Sequence, residues 1–224
     1  MKRLVLALAA VGVLVAGPAS ASSFLVNDSF ETGNFAGWIT QDLATPFFPL
    51  SVQATGAANT FAWPWSSTAT NGNFVAFTGF DGAGPGTIFI AQDAAVPVGT
   101  TNISFDWRAA WDLITFCGQC QANRLLDFQI QPSGGGASLL SVNVLTAAAH
   151  TSNPDTGNQT ATIDISAFAG QNVRLAWVMN IPENFTGPAQ LQIDNINSPA
   201  VPEPATLLLV ASGAAFAARR RRKI

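Results

Sequence analysis

The sequence predicts an all-β protein, a β-sandwich of the jelly-roll type, held between two terminal segments of different character. Three observations predict it. Short runs in the middle of the chain alternate apolar and polar residues. Turns rich in Gly, Pro and Asn separate those runs. Outside the termini no amphipathic helix of ordinary length is present, and no internal repeat is evident.

The first element, residues 1–21, reads as a signal peptide. Met1-Lys2-Arg3 is a basic start, Leu4 to Ala16 is apolar, and Ala19-x-Ala21 fits a signal-peptidase site. Cleavage after Ala21 makes Ser22 the mature start. Signal peptidase is therefore an expected partner.

Residues 22–200 follow, about 180 residues, the size of one domain with a substantial core. Strands are predicted at Phe74–Phe77, Thr87–Ile90, Ile103–Arg108, Leu125–Ile130, Val173–Met179 and Leu191–Ile193. In the third, Ile103, Phe105 and Trp107 share one face, with Asp106 and Arg108 on the other. In the fifth, Val173, Leu175, Trp177 and Met179 share a face. Asp81–Gly86 and Ser133–Gly136 read as turns. Many short strands joined by such turns argue a sandwich.

The charge of this segment excludes one class of function. Its cations are Arg108, Arg124 and Arg174, set against twelve acids, for a net charge of −9. Nucleic-acid binding needs a basic footprint, and there is none. An acidic surface rich in amides and hydroxyls suits an extracellular module.

Asn27-Asp28-Ser29-Phe30-Glu31-Thr32-Gly33-Asn34-Phe35-Ala36-Gly37-Trp38 resembles the opening of galactose-binding-like jelly rolls, which include many carbohydrate-binding modules. Val96–Thr100, Ala169–Leu175 and Ile193–Ile196 fit the same plan, so the resemblance spans about Phe24 to Ser198. It implies that Glu31 and Asp194, with Asp28 nearby, help ligate a structural calcium joining the first and last strands. Calcium wants six to eight oxygen ligands. The residues also suit a metal-free polar turn, and both readings stay open.

Trp63-Pro64-Trp65 is the most conspicuous apolar feature of a loop. Pro holds the chain extended, so Trp63 and Trp65 project as a platform on which sugar rings stack, or else cover the sandwich core. Trp107, Trp111 and Trp177 read as core by alternation, and Trp38 as part of the packed opening. Cys117 and Cys120 read as a local disulfide, because export is oxidising and neither a second CxxC nor a βαβ context supports zinc or redox work. Closing so small a loop contributes only about 2 kcal/mol.

Catalysis is not expected. His150 is the single histidine, in a loop, and no GxSxG elbow accompanies it. Asp106, Asp112, Glu183 and Asp194 are present, but sequence places no two of them across a cleft.

The last element, residues 201–224, begins Val201-Pro202-Glu203-Pro204. A charge-free run, Ala205 to Ala218, follows, then Arg219 to Lys223. Fourteen helical residues cover about 21 Å, short of a hydrocarbon core of about 30 Å. The basic cluster favours a cytoplasmic C-terminus. Pro202-Glu203-Pro204, a short apolar helix and an Arg cluster resemble the PEP-CTERM sorting signal of Gram-negative bacteria. The resemblance implies an exosortase as partner, processing near Pro202, Glu203 and Pro204, transient insertion in the inner membrane, and delivery to the cell surface or extracellular matrix. The expected function is a surface or matrix protein associated with exopolysaccharide and binding glycan. The alternatives are a purely structural matrix protein and a small polysaccharide-active enzyme.

Overall fold

The alternation in the sequence becomes two antiparallel sheets packed face to face. The computed structural model describes residues 23–59, 65–115 and 122–198. The signal peptide, Trp63, Cys117, Cys120 and the tail 201–224 lie outside the described residues.

In chain order the strands are β1 (Ile39–Gln41), β2 (Ser51–Ala54), β3 (Phe74–Thr78) and β4 (Gly86–Ala95). Next come β5 (Asn102–Asp112), β6 (Arg124–Pro132), β7 (Leu140–Ala147) and β8 (Ser152–Asn153). The last are β9 (Gln159–Asp164), β10 (Asn172–Ile181) and β11 (Ala189–Asn197). Among the described residues the one helical element is a 3-10 turn at Ser166–Phe168, and no helix is long and apolar enough to cross a membrane. One sheet runs β1-β4-β10-β6-β7; the other runs β2-β3-β11-β5-β8, with β9 also paired to β5. All six predicted strands fall within β3, β4, β5, β6, β10 and β11.

The core lies where the predicted apolar faces meet. Ile103 and Phe105 from β5 and Leu175, Trp177 and Met179 from β10 are buried. Trp177 is fully enclosed, its ring 5.6 Å from Trp38, 5.4 Å from Phe105 and 5.2 Å from Phe128, centroid to centroid. Edge-to-face packing of this kind adds about 0.5–1.5 kcal/mol per pair beyond area burial. Trp111 joins the same core and Trp107 packs against it. Trp38 anchors the opening motif, donating from Nε1 to the Asn27 carbonyl at 3.0 Å.

The first and last segments run side by side. Phe24 N–H donates to the Ser198 carbonyl at 3.3 Å, and Ile196 N–H to the Asp28 carbonyl at 3.1 Å. The main core cluster extends from Leu25 to Ile196, and Ser22–Val201 is a compact unit. The fold therefore closes within that segment.

Candidate functional site

Each sheet turns one face to the core and one outward, and the two outward faces differ. On the six-stranded sheet, alternation sends Arg108 of β5 and Gln190, Gln192 and Asp194 of β11 outward. The chain between β2 and β3 crosses over them. Gln192 holds Thr68 by both backbone groups, accepting from its N–H at 3.1 Å and donating to its carbonyl at 2.6 Å. Gln190 donates to the Asn59 carbonyl at 3.2 Å. Arg108 donates to the Ser66 carbonyl at 2.9 Å and to Thr68 Oγ1 at 3.0 Å. Its other nitrogens meet Asp155 at 2.8 and 2.7 Å. That bidentate pair holds the Asp155 carboxyl below its ordinary pKa.

Trp65 sits under this crossing. It is 3% exposed, packs with Phe77, Ala110 and Phe48, and carries the Arg108 guanidinium 4.2 Å above its ring centre. The sugar-platform reading of Trp65 is therefore corrected. Its stacking face is taken by a cation of its own chain, and the ring seals the crossing segment to the sheet. Trp63 lies outside the described residues.

At the end of the crossing, two carboxylates hold one turn. Asp194 accepts from the N–H groups of Thr70 at 2.6 Å and Asn71 at 3.0 Å, and from Asn195 N–H at 2.7 Å. Burial raises its pKa, against the opposing pull of these donors. Glu31 accepts from the N–H groups of Asn73 at 3.0 Å and Phe74 at 2.9 Å. Gly72 lies between, at φ 71°, so close to the Glu31 carboxylate that no Cβ fits. Glu31 and Asp194, the two residues expected to share a calcium, come to one place, where their oxygens accept from N–H groups of the 70–74 turn. Asp28 contributes its backbone carbonyl to the joint. Among the described residues no group of three or more His, Cys, Asp or Glu is arranged to hold a metal ion.

On the outward face of the five-stranded sheet the centre is buried and the rim is exposed: Ala91, Ala176 and Val178 are 0%, 1% and 7% exposed, while Gln41, Ser141 and Asn143 lie at the surface. The 133–136 turn reaches the edge of this face, Gly134 N–H donating to Asp93 Oδ1 at 3.2 Å. Its rows follow the strand register. One row reads Gln41, Phe89, Val178, Asp127, Asn143, and the next Ile39, Ala91, Ala176, Gln129, Ser141. Phe89, Ala91, Ala176 and Val178 form an apolar strip. Amides flank it. Asn143 and Asn180 donate to Asp127 at 2.9 and 3.2 Å, and Gln131 to Gln129 at 3.0 Å. The one cation, Arg174, is held by Asp93 at 2.9 Å through two nitrogens. This pairing lowers the Asp93 pKa and raises that of Arg174. The sequence reading missed this face. Its signal was present in the polar positions of β6, Asp127, Gln129 and Gln131, which alternate with core residues.

A buried ion pair lies at the end of the sandwich where β3 hands over to β4. Arg124 and Asp81 are 3.0 Å apart, and neither is more than 4% exposed in its side chain. Arg124 also donates to the Phe80 carbonyl and to Thr186 Oγ1, each at 2.8 Å. Burial pushes Asp81 up to about 6 despite its partner. The pair ties the 79–85 turn to the 182–188 turn and is structural. His150 is exposed in a turn at φ 58°.

Residues 200–223 match the family described as the PEP-CTERM protein-sorting motif. The chain ends in a PEP-CTERM sorting signal. This signal implies an exported protein with an exosortase as its processing partner. No curated protein matches the chain. Several solved structures are similar in fold. A CBM61 module solved with β-1,4-galactotriose is 16% identical, with 78% of this chain and 96% of that one covered and a TM-score of 0.49. A CBM28 module described as specific for non-crystalline cellulose is 13% identical, with coverage of 77% and 93% and a TM-score of 0.47. A cyclase from Fischerella sp. is 17% identical, with coverage of 82% and 100% and a TM-score of 0.47. Proteins of this general shape thus differ in what they do, and the likeness assigns no activity.

Proposed function

We propose that this PEP-CTERM protein is a surface or extracellular-matrix module that binds neutral glycan on the outward face of its five-stranded sheet and so associates with exopolysaccharide. The observation that carries this reading is the chemistry of that face. A partly buried aromatic, Phe89, stands beside the buried side chains of Ala91, Ala176 and Val178. Rows of amides flank it, each presenting both donors and acceptors. Sugar rings offer the matching surface, apolar C–H faces edged by hydroxyls. The single cation is neutralised by Asp93, so nothing on the face favours an anionic polymer. The action is binding without catalysis: the solitary histidine is exposed in a turn, and the Asp81 carboxyl is spent on Arg124.

The test is retention of the Ser22–Val201 segment on neutral polysaccharides and a glycan array. Gln129→Ala and Asn180→Ala each remove an amide from the face. We expect at least tenfold weaker binding from the pair, with an unchanged melting temperature. Binding that survives both changes places the ligand elsewhere. A segment that retains no glycan at all leaves a purely structural matrix role.

A further inference from the structure

The four sheet edges are protected unequally. β1 has 3 residues, β2 has 4 and β8 has 2. β9 has 6 and ends on a charge, Asp164. β7 has 8 residues, Leu140–Ala147, and no charged residue occurs in the chain between Asp127 and Asp155. Long edges are normally blunted by Lys, Pro, inward charges or bulges, because their unpaired N–H and C=O groups template pairing with another chain. β7 carries only a bulge. Leu126 pairs with Leu145 and Asp127 with Asn143, which leaves Val144 unmatched. The Asn143 amide braces this kink, donating to Asp127 Oδ1 at 2.9 Å and to the Leu145 carbonyl at 3.2 Å. Upstream of it, Leu140–Asn143 keeps regular register with β6. Leu139, just before the strand, is 56% exposed.

We infer that the β7 edge, residues 139–143, pairs antiparallel with the same segment of a second copy, joining two five-stranded sheets into one. A strand paired antiparallel with itself obeys two-fold symmetry, so the same patch serves both copies and the contact closes. Charge selects this edge among the surfaces of the molecule. Two bodies of net charge −9 repel over most approaches. Across this joint the first charged residue in register is Asp127 on β6. It stands three strand spacings, about 14 Å, from its symmetry mate across the strands, and is offset from it along them as well. That exceeds the screening length of about 10 Å at 0.1 M salt. Leu139 loses water on pairing, and the backbone groups of the edge gain partners. The joint sets two outward faces side by side in one continuous sheet. Ser141 already ends the row that contains Gln129 and Ala176, so that row continues into the partner. Multivalent capture of a polymer follows from this geometry, but the pairing itself does not depend on glycan binding.

Sedimentation equilibrium of the Ser22–Val201 segment tests it. A monomer–dimer equilibrium is expected. The double variant Leu139→Lys, Ser141→Lys changes two exposed positions and sets like charges close together across the joint. It should associate at least tenfold more weakly while melting at the same temperature. Backbone hydrogen exchange should slow in residues 139–143 as the wild-type concentration rises, and not in the variant. A wild-type segment that stays monomeric to millimolar concentration overturns the inference. So does a dimer that survives both lysines, or one whose protected amides lie away from β7.

Discussion

The two outward faces carry the same device put to different use. Each has an arginine on a strand and an aspartate that meets it through two nitrogens, Arg108 with Asp155 and Arg174 with Asp93. On the six-stranded sheet the arginine also stacks on Trp65 and bonds Ser66 and Thr68, nailing down a covering segment. On the five-stranded sheet the pair stays beside the 133–136 turn, where Asp93 also accepts from Gly134 N–H. A surface ion pair is worth little alone; the two arginine side chains are equally exposed, at 15%, and Arg108 differs by its stack on Trp65 and its bonds to the crossing segment. The covered face is thus a stability element, and the proposed binding falls to the other face.

The largest expected effect breaks the covered face. Trp65→Ala removes a ring that is 3% exposed and leaves Arg108 without its stacking partner. Loss of a buried aromatic costs about 3–5 kcal/mol, read as a large fall in the urea midpoint. Glycan retention, measured well below the melting temperature, should persist. If Trp65→Ala abolishes binding and leaves stability intact, the two faces have been assigned the wrong way round.

Much of this was legible in the sequence. The six strands with clean period-two alternation were placed because each puts large apolar side chains on one face, as in Ile103, Phe105 and Trp107. β7 was not placed. Its bulge at Val144 puts Val144 and Leu145 in sequence and breaks the period. β9, Gln159–Asp164, is mostly small and polar and gives little signal. The function of Trp65 was not legible because its partners are remote: Arg108 on β5, and Gln192 holding the same crossing. Gln190 and Gln192 alternating with Leu191 and Ile193 in β11 were the available clue. Buried amides need partners, and an outward amide in a central strand points to a segment lying across it.

A second effect sharpens the joint that fastens the covering segment. Asp194→Ala and Glu31→Ala each strip acceptors from backbone N–H groups of the 70–74 turn. Unpaired polar groups cost about 1–3 kcal/mol when buried. Asp194 is 1% exposed and Glu31 lies at the surface, so Asp194→Ala should lower the melting temperature more. If the two carboxylates also hold calcium, EDTA should lower the melting temperature and calcium restore it; a curve unchanged in EDTA leaves Glu31 and Asp194 as carboxylates that hold only the turn.

The third effect compares the two arginines directly. Arg108→Ala loses the stack on Trp65, two bonds to the crossing segment and the pair with Asp155. Hydrogen bonds from charged donors contribute about 1.5–3 kcal/mol, and Arg108 should fall in or above that range. Arg174→Ala loses only its pair with Asp93, whose side chain is 38% exposed; such a pair is worth about 0.2–1 kcal/mol. Equal losses in chemical denaturation would erase the distinction between the faces.

The smallest effect is the acid response of the two pairs. Arginine hydrogen bonds hold the folded pKa values of Asp155 and Asp93 below 3.8, the ordinary value. For an acid whose folded pKa is depressed, the contribution is present above the unfolded pKa and is lost as pH falls through the folded one. Both pairs therefore act fully near neutrality and fade below about pH 3.8. Asp155 and Asp93 are 43% and 38% exposed in their side chains, so solvent screening keeps each contribution near the lower end of the surface range. Asp93→Asn should accordingly flatten the stability profile below pH 4 by a few tenths of a kcal/mol and change nothing at pH 7 beyond that same amount. Asp155→Asn should flatten it similarly, and should also loosen the crossing segment, visible as faster hydrogen exchange in residues 65–70. Exchange there that is indifferent to Asp155 would mean that Trp65 and Gln192 hold the cover without the ion pair.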